Sequence, residues 1–264
     1  MTTATPAPTP PRSALLSKAK NVIAIASGKG GVGKTWCAIT LSHALARAGR
    51  RTLLFDGDLG LANVDIQLGL TPDRDLGGVI TGRISLAQAA SRYEEGGFDI
   101  VAGRSGTGSL ATLPAQRLAQ LGSEIVDVAR QYDNVVLDLG AGLDRTVRVL
   151  AASAGTTLVV TTPEPTALTD AYAYIKVTNA DEPHSDLRVL VNMAGTTPEG
   201  QRTYQTLLKA CQGFLKISPP LAGVIRRDKR VAECIRRQSP LLTKYPTTEA
   251  AQDIEGVVDR LLET

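Results

Sequence analysis

The chain has 264 residues, 43% hydrophobic and 21% charged, enough to bury one full-sized core and too apolar for wholesale disorder. Its 29 Lys and Arg against 26 Asp and Glu leave a net charge of +3, so overall charge does not call for nucleic acid or an anionic membrane as partner. His43, His184, Cys37, Cys211 and Cys234 offer no pair at metal-ligand spacing, which excludes a zinc or iron–sulfur site within one chain, and unpaired cysteines fit the cytoplasm.

Residues 1–20, rich in Pro, Thr and Ala, read as a disordered tail, with a docking peptide as the rival reading, and 21–264 as a single domain. From Asn21 onward, short runs of Val, Ile and Leu alternate with stretches of helical period. The runs 22–26, 52–55, 99–102, 135–139, 157–161, 189–191 and 222–225 are apolar almost throughout, as strands covered on both faces must be. Helices are expected near 35–48, 115–131, 144–153, 166–179, 199–212, 228–238 and 248–262. This alternation predicts an α/β fold: a doubly wound, mostly parallel sheet with helices on both faces, three layers deep.

Directly after the first strand comes Ser27-Gly28-Lys29-Gly30-Gly31-Val32-Gly33-Lys34-Thr35, which satisfies G-x-x-x-x-G-K-[ST] at the strand-to-helix junction that motif requires. Glycines let backbone N–H groups turn toward phosphate oxygens, and the helix opening at Lys34 adds its positive end. Lys34 suits the β- and γ-phosphates, and the Thr35 hydroxyl suits Mg²⁺. Gly28, Gly30 and Gly33 also spell the dinucleotide fingerprint G-x-G-x-x-G, with Asp56 one βαβ step later. That fingerprint needs neither Lys34 nor Thr35, so ATP with Mg²⁺ is the expected ligand. Lys29 is a second loop lysine, either solvated or a further partner for phosphate.

The second strand ends in Asp56-Gly57-Asp58 at the carboxyl edge, where open α/β sheets bind ligands, and both acids are expected to face the phosphates. Asp58 is the candidate to position the attacking water and contribute to the metal site, Asp56 to support loop or metal geometry, and a helix-capping role for Asp58 is the competing reading. Val135-Val136-Leu137-Asp138-Leu139-Gly140 has the form of a Walker B strand, with Asp138 toward Mg²⁺ and Gly140 free to approach the γ-phosphate. Asn192, at the end of a later strand, carries an amide able to read adenine, or simply forms a turn. Arg226, Arg227, Lys229, Arg230, Arg236 and Arg237 form a basic cluster, either a solvated helix face or a patch for DNA or an acidic protein. The segment 249–264 is amphipathic but acidic, which favours core packing over a membrane surface.

At these residues the chain resembles the MinD/ParA family of deviant-Walker-A ATPases, whose loop carries an additional lysine at the position of Lys29. Asp58-Leu59-Gly60-Leu61-Ala62-Asn63-Val64-Asp65, the segment from Thr161 to Tyr172, and Gly223-Val224-Ile225-Arg226-Arg227-Asp228 are most similar to the FlhG/FleN branch of flagellar regulators. Thr40 and Leu139 depart from the residues common in relatives. The resemblance implies a slow, partner-stimulated ATPase that forms a nucleotide-sandwich homodimer when ATP is bound and sets flagellar number and placement. It also implies that Lys29 reaches the partner subunit's phosphates, that Asp58 is the hydrolytic aspartate and that Asp138 belongs to the switch. Implied partners are an FlhF-like GTPase, a transcription regulator or a switch-ring protein, with a polar or peripheral membrane location. A ParA-like DNA-partitioning ATPase and a MinD-like division-site regulator are the alternatives.

Overall fold

The computed structural model describes residues 18–103 and 113–263. Among them, strands β1 (Ala19–Ser27), β2 (Thr52–Gly57), β3 (Ser91–Tyr93), β4 (Phe98–Val101), β5 (Asn134–Ala141), β6 (Ala154–Thr161), β7 (Asp186–Ala194) and β8 (Leu221–Arg226) build one sheet in the order β3-β4-β2-β5-β1-β6-β7-β8. All neighbouring strands pair in parallel except β3 with β4, so the mostly parallel, doubly wound expectation holds. β1 begins two residues inside the expected tail; the rest of that tail, 1–17, lies outside the described residues.

Consecutive residues of β1 serve opposite layers, which is why its sequence shows no polar alternation. Val22, Ala24 and Ala26 join a core with Leu118, Leu121 and Ile125 of α5 (Ala115–Ala129), Val147 and Leu150 of α6 (Arg145–Ala151), Tyr174 of α7 (Pro165–Asp181) and Leu207 of α8 (Thr197–Ala210). Ile23 and Ile25 join the other core, with Trp36, Leu41 and Leu45 of α1 (Lys34–Arg47), Cys234 of α9 (Lys229–Arg236), Leu242 of α10 (Leu241–Lys244) and Ile254, Val257 and Val258 of α11 (Glu249–Leu262). The short helices α2 (Val64–Leu68), α3 (Leu76–Ile80) and α4 (Leu86–Ala89) fill the crossover between β2 and β3.

The apolar stripe expected at the end of the chain is core: Ile254, Val257 and Val258 are buried, and the polar face of α11 clasps the edge strand β8. Arg260 Nε donates to the Ala222 carbonyl at 2.7 Å, and Asp253 Oδ2 accepts the Arg226 amide at 2.8 Å. Both bonds occupy backbone groups that an open sheet edge would offer to another strand. No described helix is long and apolar enough to cross a membrane.

Because β1 lies between β5 and β6 while the chain next visits β2 and then returns, the strand order reverses at β1. The parallel strands deliver their carboxyl ends to one edge, and the crevice opens where the order reverses.

Candidate functional site

Gly33 sits at φ +89° as the N-cap of α1, in the left-handed region that suits glycine, and so turns the loop into the helix. The first amides of α1 have no acceptor within the helix and face the crevice. Gly28 is required for a different reason: a Cβ there would collide with the backbone of Asp170 on α7. Within the loop, Ser27 Oγ donates to the Lys29 carbonyl at 2.6 Å. From β7, Asn192 Nδ2 donates to the Val32 carbonyl at 2.8 Å, and Asn192 Oδ1 accepts the Met193 amide at 2.9 Å. That second bond depends on Met193 adopting φ +57°, an unusual conformation for a side chain of its size, and no sequence signal announces it. Asn192 keeps one donor and one acceptor position in reserve.

A cavity of about 760 Å³ opens over this loop, lined among others by Gly30, Gly31, Gly33, Lys34, Thr35, Asp58 and Asn192, a size suited to a small-molecule ligand. Trp36, Asn63, Gln67 and Met193 add to its wall, together with residues 225–228, Val231, Ala232 and Ile235, and none of these was assigned a place there from sequence. A smaller cavity, about 400 Å³, lies at the opposite edge of the sheet. Most of its charges are paired, Arg148 with Asp181 at 2.7 Å, Lys18 with Glu182 at 2.5 Å and Asp186 with Arg188 at 2.8 Å.

Two carboxylates lie behind the loop. Asp56 and Asp138 are register partners on β2 and β5 and therefore sit side by side on the same face of the sheet. Asp56 is fully buried, with Oδ1 accepting the Asp58 amide at 3.3 Å and Oδ2 the Val64 amide at 3.2 Å, so it anchors the loop that carries Asp58 and is not among the residues lining the cavity. Burial pushes its carboxyl up to about 7 against the pull of those two amides. Asp138 is also buried, and neither of its oxygens accepts a hydrogen bond of good geometry. Burial and then the neighbouring Asp56 charge push it up to about 8, with the Thr35 hydroxyl and Lys34 offsetting only part of this. Lys34 shows the complementary effect: burial lowers it, while Asp138 and Asp58 pull it back up.

An orphaned buried carboxylate beside a serine-type hydroxyl and an ammonium fits a site for a hard cation. Among the described residues no three His, Cys, Asp or Glu side chains converge to hold a metal by themselves. A cation beside Asp138 and Thr35 would draw most of its oxygen shell from phosphate and water, as Mg²⁺ commonly does.

These shifts have a measurable consequence in the nucleotide-free chain. Both carboxyls are raised above their unfolded range, so the fold prefers them protonated; the stability they contribute is complete below about pH 4 and disappears as pH rises through about 7 and 8. Thermal melting followed from pH 5 to pH 9 should fall, and Asp138→Asn should flatten the slope and raise the midpoint at pH 9 by a few kcal/mol, roughly 5–10 °C. An unchanged slope in the variant would show that Asp138 is not the group responsible.

Asp58 stands at the cavity wall, where its Oδ1 accepts the amides of Gly60 at 3.3 Å and Leu61 at 2.9 Å. Asp58 therefore does not cap the following helix, whose N-cap is Asn63; its Oδ1 closes the turn ahead of it instead. A Cβ on Gly140 would stand 3.4 Å from that oxygen, in ordinary contact, so the end of β5 lies directly against the Asp58 loop. Lys29 does not line the cavity. Its Nζ donates to Glu164 Oε2 at 3.1 Å and Thr166 Oγ1 at 3.0 Å, at the start of α7. Glu164 and Thr166 received no role from sequence, although a Pro at the first position of the helix marked where α7 begins.

A family model described as the CobQ/CobB/MinD/ParA nucleotide binding domain (CbiA) matches residues 23–241. The antiactivator FleN of Pseudomonas aeruginosa is 39% identical over 240 residues, covering 91% of this chain and 85% of that protein. The flagellum site-determining protein YlxH of Helicobacter pylori is 30% identical over 242 residues, 91% and 81% of the two chains. Among solved structures, the septum site-determining protein MinD of Pyrococcus horikoshii, complexed with Mg-ADP, superposes with a TM-score of 0.77 at 25% identity, covering 92% of this chain and 96% of that one. The loop that Gly33 turns into α1, the acids behind it and the match across 23–241 agree: the chain belongs to the CobQ/CobB/MinD/ParA nucleotide-binding family.

Proposed function

We propose that the protein is an ATP-dependent dimerisation switch that regulates flagellar number and placement. The observation that carries this reading is the 39% identity to the antiactivator FleN across 91% of the chain, with a second flagellar relative, YlxH, at similar coverage. ATP and Mg²⁺ are the ligands: Gly28, Lys29, Gly30, Gly31, Val32, Gly33, Lys34 and Thr35 form the phosphate loop, and Asn192 is the amide for the base. Thr35, Asp58 and Asp138 would hold Mg²⁺ directly or through water, and the ion would offset charge between the phosphates as they separate.

Hydrolysis is slow and accelerated by a partner. In this reading Lys34 stays with its own nucleotide and Asp58 orients the attacking water, while Asp56 holds the loop that carries Asp58. Asp138 and Gly140 register the γ-phosphate at the end of β5. Lys29 leaves Glu164 and Thr166 to reach the phosphates of a second copy, so loss of the γ-phosphate weakens the pair. Nucleotide can bias this equilibrium only by the difference in its affinity for dimer and monomer. Each conformational state would present a different surface to the flagellar regulators it meets, whether a GTPase, a transcription regulator or a switch-ring protein.

Deletion of the gene in its host, followed by counting flagella per cell, tests the biological half: number and placement should change, and re-expression of the parent chain should restore them. Unaltered flagella would remove the flagellar assignment and leave the nucleotide chemistry standing.

A further inference from the structure

The basic run at 226–237 separates into two sets in the fold. Arg226 is committed to Asp253 at 2.9 Å and Glu249 at 2.6 Å, Arg230 to Glu233 at 2.7 Å and to the face of Tyr245 at 4.6 Å, and Arg237 to Glu233 at 3.5 Å. Arg227, Lys229 and Arg236 are exposed and make no ion pair among the described residues. With about 3.6 residues per turn, Lys229, Ala232 and Arg236 share one flank of α9, Val231 and Ile235 the adjoining one, and Cys234 lies opposite, in the core. Next to α9 is α2, tied to it by Gln238 Nε2 donating to the Ile66 carbonyl at 2.9 Å. Leu61 is 74% exposed, Ile66 52% and Ile235 36%, three of the four exposed large aliphatic or aromatic side chains among the described residues. Leu61, Arg227 and Ile235 line the same cavity mouth, and Ile66 stands outside it on α2, held against the end of α9 by Gln238, so the three aliphatic side chains flank α9 together with Arg227, Lys229 and Arg236, which make no ion pair among the described residues.

We propose that this strip, the free flank of α9 together with Leu61 and Ile66, is a docking surface for an acidic amphipathic segment of a partner protein. The aliphatic side chains take the apolar stripe of that segment, and Arg227, Lys229 and Arg236 take its carboxylates. Charge complementarity selects the occupant: three cations without an ion pair among the described residues lie beside the strip, while Glu249, Asp253 and Glu233 are consumed internally by Arg226, Arg230 and Arg237, and Asp228 caps α9 through the Arg230 amide. Duplex DNA would use the cations but leave Leu61, Ile66 and Ile235 exposed, because the phosphate backbone has nothing apolar to set against them. Gathered exposed aliphatics with a polar rim are the pattern of a protein interface. The strip reaches beyond the nucleotide reading and does not rest on it, since it is fully formed in the nucleotide-free chain.

The test uses the full chain without nucleotide and a labelled synthetic helix of ~18 residues, with Leu at i, i+3, i+4 and i+7 and Glu elsewhere. An isomer of identical composition with the leucines dispersed around the helix is the comparison. Anisotropy should show the striped peptide binding at least about tenfold more tightly than the isomer, with affinity falling as salt rises. The variant Ile66→Ser with Lys229→Glu and Arg236→Glu, none of which lines the cavity, should weaken the striped peptide at least about tenfold while leaving the melting temperature near that of the parent. Equal binding of the two peptides, no binding of either, or an unaffected variant overturns the proposal. Tighter binding of a ~20-bp duplex, lost on Lys229→Glu and Arg236→Glu, overturns it in favour of nucleic acid. Sedimentation showing self-association that Ile66→Ser abolishes overturns it in favour of a second copy.

Discussion

Lys34→Ala should abolish nucleotide uptake. Titrating Mg-ATP into the parent chain should change the emission of Trp36, the chain's single tryptophan, which is nearly buried and lines the cavity, and the variant should show no saturable change. The size of the loss follows from what surrounds the ammonium. Lys34 is 9% exposed and is held charged, against the cost of its burial, chiefly by Asp138 and then Asp58. Without it those carboxylates meet incoming phosphate with no cation between them, and removal of one member of a buried charge set costs roughly 3–5 kcal/mol. That is at least about a hundredfold in affinity. Lys34→Arg, which keeps the charge but not the shape, should recover part of the signal. Since Asp138 prefers to be protonated when no cation faces it, the alanine variant should still fold, and its melting curve at pH 6 separates lost binding from lost structure. Uptake of Mg-ATP with parental affinity by Lys34→Ala would mean that the cavity over the loop is not where nucleotide sits.

The central architecture was legible because the sequence states it redundantly. Each of the seven apolar runs became a strand, and each long amphipathic stretch became a helix within a few residues of its expected bounds. What escaped was short or set by tertiary contact. β3 has three residues, two of them exposed, and pairs antiparallel with β4 through a turn at Gly97; its signature is a Tyr93–Phe98 ring contact at 5.4 Å across the hairpin, which no local periodicity encodes. α2, α3 and α4 span five, five and four residues, less than two turns, so a 3.6-residue repeat has no room to appear. The Ser85–Gln88 capping box ahead of α4 was nonetheless readable as Ser followed three residues later by Gln.

The site divides in the same way. The loop residues and the strand-end acids could be named because they are close in sequence and bound to one chemistry, but their states could not. That Asp56 turns away from the cavity to hold the Asp58 and Val64 amides depends on how the 57–64 loop folds back. That Lys29 rests on Glu164 and Thr166 joins residues more than a hundred positions apart. The basic cluster is the clearest case. Its composition is uniform, yet α11 neutralises Arg226, Glu233 on α9 neutralises Arg230 and Arg237, and Arg227, Lys229 and Arg236 are left facing outward.

Asp58→Ala should separate binding from hydrolysis. Mg-ATP should still change Trp36 emission, phosphate release should fall by about 10²–10⁴, and sedimentation should show the dimer persisting where the parent returns to monomer. The alanine alone is ambiguous, because Asp58 has two jobs in the structure. Its Oδ1 accepts the amides of Gly60 and Leu61 and so shapes the loop, whereas orienting and deprotonating water requires a carboxylate. Asp58→Asn separates them: the asparagine oxygen can still accept both amides, but the side chain can no longer take a proton. If charge is what matters, asparagine and alanine should be equally slow and both should trap the dimer. If the loop shape is what matters, asparagine should hydrolyse at the parental rate while alanine fails. Asp56→Asn supplies the opposite control, since it weakens the anchor beneath the loop but leaves the Asp58 carboxylate in place, and it should lower hydrolysis less than Asp58→Asn does. Parental hydrolysis by Asp58→Asn would transfer the water-positioning role to another residue at the cavity wall, and Gln67, which lines the cavity beyond Asn63, would be the next to replace.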